Sequence, residues 1–507
     1  MQAAKYISVS LFLVISFLCF SPKKSSAQLS YSAESMALGG GGTAYLTGFE
    51  ALFVNPANLL IQEKNYTFQI SLLQYGYYFD SLEPISGIQN RFSRHLDLMA
   101  PYSSDLNLRV TDREELIDRS FFENRSNAYF LNQTEINWFG IKWARPERSF
   151  ALAARTRIGS SYRLGKGLYS ATPLDRSGSF LINQSFNHQY QVLHEISVGY
   201  AESFTYLNGL TPSLSEFIVG IAPKLVIPGS FLDVQFRNRY TLNSQSGFWD
   251  NEIAYNQRTA GVLTDRAENF FFPQINPENP DYGLRDLLRP TGIGFGIDAG
   301  ITYIIKFGDQ LSVLRHEDGL AEKSLRISLS VTDVGMVYQT TTPFEFDIEP
   351  QTSEQEETGP VTNRLFQGAP NEHFSFLADY FDPTEFSSFA VREQAIEVLL
   401  PASVQAGALF QYNRFKLMGD VSYTIVDNAF KPSGFTLFSG FEIRPLSYLP
   451  IRAGTRLTPG LPGYVSFGSG LETGRFDILA AFQLKSRAGG PTSEILGASV
   501  VGVKLYL

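Results

Sequence analysis

Gly292-Ile293-Gly294-Phe295-Gly296-Ile297-Asp298-Ala299-Gly300-Ile301-Thr302-Tyr303-Ile304-Ile305-Lys306-Phe307 is the stretch on which the fold turns. Ile293, Phe295, Ile297, Ala299, Ile301, Tyr303, Ile305 and Phe307 recur at every second position. Gly294, Gly296, Asp298, Gly300, Thr302 and Lys306 fill the gaps, with Ile304 the one large apolar residue among them. A period of two sends alternate side chains to opposite faces of an extended strand, so one face is greasy and the other small or polar. Gly294, Gly296 and Ala299 also fit the G-x-G-x-x-A pattern of dinucleotide sites, but no helix opens after them to receive a phosphate.

The same alternation returns in Leu325, Ile327, Leu329 and Val331 against Arg326, Ser328, Ser330 and Thr332. It returns again in Phe415, Leu417, Val421, Tyr423 and Ile425 against Lys416, Asp420, Ser422 and Thr424. The runs extend for about 9 to 16 residues, against roughly 5 to 6 in a common strand, which favours a barrel wall over a soluble sandwich. Short polar joints link several of them: Arg145 to Arg148, Asn413-Arg414, and Glu472 to Arg475. Long irregular stretches lie opposite, near 100–133, 243–290 and 339–395. Short turns on one rim and long loops on the other are the habit of spanning barrels, whose strand number is usually even; about 14 strands are expected.

Composition agrees. The chain has 507 residues, 14% of them aromatic, with 42 Phe and 25 Tyr. Its mean hydropathy of -0.08 excludes a bundle of spanning helices, whereas a barrel alternates and averages near neutral. The net charge of -9 opposes nucleic acid, since phosphate binding runs on cationic side chains. The single cysteine, Cys19, falls in the leader, so the mature chain has no disulfide or thiolate metal site. Residues 1–27 read as a signal peptide: Lys5, the uncharged run Ile7 to Phe20, then Ser25-Ser26-Ala27. Removing Lys5, Lys23 and Lys24 with no acid takes the net charge from -9 to -12.

After the leader comes Ser35-Met36-Ala37-Leu38-Gly39-Gly40-Gly41-Gly42-Thr43-Ala44, then Glu50-Ala51-Leu52-Phe53-Val54-Asn55-Pro56-Ala57-Asn58-Leu59. Glycines permit turns and close approaches that side chains forbid, Pro56 fixes its own φ, and Asn55 can satisfy nearby backbone groups. These residues describe a compact non-strand segment. At this point the sequence resembles the FadL-type hydrophobic-compound transporters, whose mature N-terminus carries a small-residue run followed by Asn-Pro-Ala. Asn55, Pro56 and Ala57 match that motif, and Gly39, Gly40, Gly41 and Gly42 match the run. Looser likeness continues through 292–303, 325–335 and 400–484, which is similar to FadL-like and PorV-like outer-membrane proteins and to a related uncharacterised branch.

The resemblance implies an all-β, transmembrane antiparallel barrel over 63–507 with an N-terminal hatch, 28–62, folded inside the lumen. It implies a non-enzymatic channel in the outer membrane of a Gram-negative bacterium for passive uptake of small hydrophobic compounds such as long-chain fatty acids. The alternative from the same relatives is a PorV-like secretion or surface-assembly factor that holds client proteins. No cofactor or metal is expected. His95, His188, His194, His316 and His373 show no H-E-x-x-H spacing and no G-x-S-x-G occurs; a Ser-His pair assembled across strands stays open from spacing alone.

Expected partners are outer-membrane lipid and lipopolysaccharide, the barrel-assembly machinery and a hydrophobic ligand. The final Gly502-Val503-Lys504-Leu505-Tyr506-Leu507 resembles a barrel-assembly signal, carried by Gly502, Leu505 and Leu507, although Leu stands in place of the more usual Phe. Phe248, Trp249, Phe270, Phe271 and Phe272 are candidates for a ligand-capture loop; the bland alternative is that they pack their own loop. Residues 345–357 hold six acids and no Lys or Arg, which reads as a solvated loop or a divalent-ion surface. Thr111 to Glu114 resembles a capping box.

Overall fold

The computed structural model describes residues 32–64, 66–79, 127–145, 147–165, 181–204, 215–242, 249–271, 283–307, 323–355, 390–431, 433–458, 463–485, 494–500 and 503–507. The leader, residues 28–31 and the capping-box stretch lie outside them. The strands are β1 (Phe68–Phe79), β2 (Asn127–Ala144), β3 (Arg148–Gly165), β4 (Leu181–Ser203), β5 (Ser215–Leu242), β6 (Trp249–Ala260), β7 (Gly292–Lys306), β8 (Lys323–Gln339), β9 (Phe344–Gln355) and β10 (Ala390–Arg392). There follow β11 (Ile396–Leu399), β12 (Ser403–Tyr412), β13 (Phe415–Thr424), β14 (Gly434–Leu446), β15 (Leu449–Leu457), β16 (Tyr464–Glu472), β17 (Phe476–Lys485), β18 (Glu494–Val500) and β19 (Val503–Tyr506).

A closed antiparallel ring of 14 staves runs β1-β2-β3-β4-β5-β7-β8-β12-β13-β14-β15-β16-β17 and returns to β1 through β18 and β19, which act as one interrupted strand. The seam is locked at the chain end: the Thr67 and Phe68 N–H groups donate to Leu507 O at 2.7 and 2.9 Å, and Leu507 N–H donates to Phe68 O at 2.8 Å. Closure leaves no open edge, the condition for a sheet to sit in hydrocarbon.

Facing follows the alternation. Along β7, Ile293, Phe295, Ile297 and Ile301 point outward and Gly294, Asp298, Gly300 and Thr302 point into the lumen. Phe295 is 63% exposed, as a lipid-facing side chain is in the absence of lipid. Ile327, Leu417, Leu437, Ile451 and Ile478 continue the apolar belt on other staves, and Arg326, Lys416, Asp420, Arg452 and Asp477 are buried on the inside. The chain thus forms a membrane-spanning β-barrel with a polar interior. No helix among the described residues is long and apolar enough to cross a membrane.

The staves are unequal. β2 to β5 have 18, 18, 23 and 28 residues, whereas β12 to β17 have 9 to 13; roughly 9 to 11 suffice to span. β5 changes partner midway: Ser215 to Val226 pairs with β7 and Phe231 to Leu242 with β6. The switch falls at Pro228-Gly229, where proline has no N–H for a ladder bond, and Thr291 hydroxyl bonds to both carbonyls.

The long-loop expectation needs correction at three places. Asn127 to Gln133 belongs to β2. Within 243–290 the chain forms β6 and the helices Val262–Phe271 and Leu284–Leu287. Within 339–395 it forms β9 and β10, which pair with each other while β9 also pairs with β6. These strands extend a sheet branch beyond the ring. Their apolar side chains Ile253, Tyr255, Phe344, Phe346 and Ile348 are buried, so these side chains answer to neighbouring strands and not to hydrocarbon. Of the six acids of residues 345–357, Glu345 and Asp347 have a partner on another strand, Asn256 donating to Glu345 at 3.3 Å and to Asp347 at 3.1 Å, while Glu356 and Glu357 lie outside the described residues.

Candidate functional site

Residues 32–61 sit within the ring. The short helix Ala33–Ala37 contacts β15, β16, β17 and β18, and the 3-10 turn Pro56–Leu60 contacts β3, β4, β5 and β7 on the other side. Nearly every residue between is buried. Local chemistry explains the shape. Ser32 caps the helix by accepting from Ser35 N–H at 3.1 Å. Gly39, Gly40 and Gly42 then take φ of +86°, +100° and +144°, a left-handed region open to glycine. The turn is received by Asp420 on β13, whose Oδ2 accepts from Gly42 N–H at 2.6 Å and Thr43 N–H at 2.9 Å.

Asn55 caps the second turn. Its Oδ1 accepts from Ala57 N–H at 3.2 Å and its Nδ2 donates to Thr43 O at 3.0 Å and to Thr302 Oγ1 on β7 at 2.9 Å. Pro56 occupies the first position of that turn, where a missing N–H is harmless. Thr302 Oγ1 donates onward to Asn58 Oδ1 at 2.6 Å, and Asn58 Nδ2 donates to Thr43 O at 2.9 Å. One small polar net therefore joins the glycine turn, the Asn-Pro-Ala turn and the wall.

The wall makes room by omitting side chains. A β-carbon on Gly220 would stand 2.2 Å from Ala57 N, and one on Gly199 would stand 2.2 Å from a Leu52 methyl. Phe49, Leu52, Leu59 and Leu60 pack there with Ala153, Ala201, Ile218 and Ile304, the apolar intruder on the inner face of β7.

Three charged groups complete the lumen. Lys504 on β19 pairs with Glu34 at 3.0 Å and with Glu50 at 2.5 Å. Near the short-turn rim, Arg452 links Glu442 and Glu472, Tyr45 hydroxyl bonds to Glu442, and Lys416 Nζ holds Glu63 at 2.8 Å. Burial pushes the Glu63 carboxyl up, but Lys416 and Arg326 more than offset this and hold it below its ordinary value. Toward the other rim lies a layer in which Arg157 makes a two-pronged bond to Asp333 at 3.0 and 3.1 Å, Arg155 pairs with Glu195 at 2.8 Å and Lys224 with Asp298 at 2.8 Å. The Arg155 guanidinium lies 3.8 Å over the Phe53 ring, which ties this layer to the luminal segment.

Above the layer the β13–β14 connection folds inward at Asn428, Ala429, Phe430 and Lys431, all buried. Phe430 and Ala429 fill the space that a side chain on Gly159 would occupy. Lys431 Nζ donates to Pro401 O at 3.0 Å and Ser403 Oγ at 2.9 Å; burial lowers its amine to about 7, against the pull of Asp333.

The residues singled out in the sequence fall as follows. Gly39 to Gly42, Asn55, Pro56 and Ala57 converge on the one net inside the ring. Phe270 and Phe271 end the helix Val262–Phe271 and Trp249 begins β6, while Phe248 and Phe272 lie outside the described residues. Leu505 and Leu507 face outward at the seam, Leu507 at 70% exposed, and Gly502 lies outside the described residues. Ser160 Oγ does lie 3.2 Å from His188 Nε2, with Tyr162 stacked on the imidazole at 4.0 Å; both are buried inner-wall residues. The Arg155, Arg157, Lys224 and Asp333 layer was not singled out. Its signal was present in Arg155 and Arg157, two apart on one face of an alternating strand.

Among the described residues, cavities lie at both ends of the barrel. One of about 230 Å³ lies toward the long-loop rim between Gln191, Phe231, Asp233, Val398 and Ala429. One of about 530 Å³ opens on the short-turn rim beside Glu63, Lys416 and Arg444.

Among solved structures, the chain is similar to the ΔS2S3 mutant of the TodX monoaromatic hydrocarbon channel, at 12% identity and a TM-score of 0.45, over 94% of this chain and 99% of that one. It is similar to the Pseudomonas putida toluene transporter TodX, at 12% identity and a TM-score of 0.41, over 95% and 99%. It is similar also to the Ralstonia pickettii toluene transporter TbuX, at 12% identity and a TM-score of 0.39, over 94% and 98%. No curated protein sequence matches it. The model of a family of unknown function, DUF5723, matches residues 73–453, and the chain belongs to that family.

Proposed function

We propose that this barrel gives small hydrophobic compounds a passive route across the outer membrane, with long-chain fatty acids in its range and residues 32–61 as a movable hatch. The observation that carries the reading is the join between hatch and wall. The wall gives up side chains to seat a segment that is held only by hydrogen bonds, ion pairs and packing. Each neutral hydrogen bond is worth about 0.5–1.5 kcal/mol net, so such a segment can leave its seat and return. In this reading the aromatic residues around Trp249 and Phe270 gather ligand, lipid and lipopolysaccharide surround the belt, and the assembly machinery reads the last strand. The test is uptake of a fluorescent fatty acid and of toluene by liposomes holding the full mature chain, set beside Asn55→Ala. Faster entry in the variant supports the reading, and no entry of either probe through either protein rejects it.

One observation favours a second reading. The two cavities are separated by the luminal segment and the Arg155–Asp333 layer, and charged or amide side chains line both. A barrel filled this way suits a closed scaffold that holds a secreted client, as in PorV-like proteins. Co-purification of a stoichiometric secreted protein, together with failure of both uptake probes, is the result that selects it.

A further inference from the structure

The cavity of about 530 Å³ on the short-turn rim is bounded by the end of the luminal segment and by the turns that join β12 to β13, β14 to β15 and β16 to β17. Lys64, Arg414, Lys416 and Arg444 line it, with Arg326 directly behind, while Glu63, Glu442 and Glu472 are the lining carboxylates and Lys64 is paired with Asp477. Glu442 and Glu472 stand on wall strands, nearly fully buried, and are claimed by Arg444 and Arg452. Glu63 differs: it lies on no strand and its side chain is 24% exposed.

Arg326 is the second observation. Its side chain is 1% exposed. Among the described residues only Nη2 makes hydrogen bonds, long ones of 3.4 Å each to Glu63 Oε1 and Gln411 Oε1, while Nε and Nη1 are buried without a hydrogen-bond partner. A guanidinium presents a planar fork suited to a carboxylate, and a buried N–H left unpaired costs free energy. Glu63 cannot satisfy that fork because both its oxygens are drawn to Lys416 Nζ, at 2.9 and 2.8 Å. The wall therefore sets an ammonium, which also reaches Glu442 at 3.5 Å, and an underused guanidinium against one carboxylate that is tethered by a short, strand-free stretch of chain.

We propose that this vestibule is a binding site for small organic anions bearing a carboxylate, which displace Glu63 from Lys416 and Arg326. Glu63 is the resident competitor, and its displacement frees the end of the luminal segment at the short-turn rim. The site stands independently of the transport reading, since it concerns equilibrium binding from the rim and not passage through the lumen.

The experiment uses the full mature chain in nanodiscs, with butyrate as probe, butyramide as its neutral counterpart and inorganic phosphate as a second anion, at fixed ionic strength. Glu63→Gln is expected to bind butyrate at least tenfold more tightly than the wild type, because the competitor is gone. Glu202→Gln, an equal charge change elsewhere on the same rim, is expected to leave affinity unchanged. Lys416→Met and Arg326→Lys are each expected to weaken binding at least tenfold, with heat-modifiable gel migration confirming an intact barrel. The proposal is overturned if Glu63→Gln and Glu202→Gln raise affinity equally, if butyramide binds as well as butyrate, if phosphate binds and butyrate does not, or if folded Lys416→Met binds like the wild type.

Discussion

A β-carbon on Gly300 would stand 1.9 Å from Asn55 Oδ1. The two residues are 245 positions apart, yet the bare backbone of β7 at Gly300 and the amide of Asn55 occupy one another's only available space. Gly300→Ala is therefore expected to push Asn55 off Thr302 and Thr43, forfeiting contacts worth about 1–3 kcal/mol once buried groups are left unpaired. Planar-bilayer recordings should show a larger leak than wild type, with heat-modifiable migration retained. A leak equal to wild type in an inserted variant counts against a seated segment.

Asn55→Ala removes the same amide from the other side and should raise leak by a comparable amount, about 1–3 kcal/mol in closed-state stability. The double variant with Gly300→Ala should be no leakier than the worse single one, because both break a single net. Additive leaks would show that the two residues act separately.

The Glu63 tether is expected to weaken in acid. Its folded value is depressed, with burial opposed by Lys416 and Arg326, so its contribution is fully present above the ordinary value of 4.5 and is lost as pH falls through the lower folded value. Leak measured from pH 6 downward should climb only below about 4.5 in the wild type. Glu63→Gln should show a raised leak without that rise.

Lys431 works in the opposite sense. Burial lowers its folded value to about 7 from 10.5, so the fold disfavours its charged form. The resulting cost sets in as pH falls from 10.5 and is complete below about 7. Lys431→Met should raise resistance to urea unfolding in detergent most at pH 6, and the gain should shrink steadily up to pH 10. A gain independent of pH would place its origin in packing around Phe430.

Replacing Phe270, Phe271 and Phe272 together by Ser tests the capture role. Burial of one aromatic against a ligand contributes roughly 1.5–3 kcal/mol, so binding of a fluorescent fatty acid should fall more than tenfold while insertion is kept. Unchanged binding removes this stretch from the ligand path.

The wall was legible in the sequence because hydrocarbon on one side and a polar lumen on the other impose a strict period of two, as Ile293 to Lys306 shows. The segment with Gly39 to Gly42 and Asn55-Pro56-Ala57 was legible as a compact unit because left-handed turns and caps have local residue signatures. What it touches was not. The Gly300 cradle pairs positions hundreds of residues apart, and an absent side chain announces space without saying what fills it. β6 escaped notice for another reason: Asn251, Asn256, Gln257 and Arg258 sit on a strand whose partners are β5 and β9, and its buried apolar alternation is confined to Ile253 and Tyr255. The Arg155–Asp333 layer is legible only as charges on inner faces until closure brings five strands together.

The unequal staves give the barrel a front and a back. β5 alone has 28 residues, roughly 90 Å of contour, and with β2 to β4 it stands above the low parapet formed by β12 to β17 on the opposite side. Anything approaching in the plane of the membrane meets a palisade from one bearing and a sill from the other, so the barrel has a compass direction within the bilayer as well as an inside and an outside.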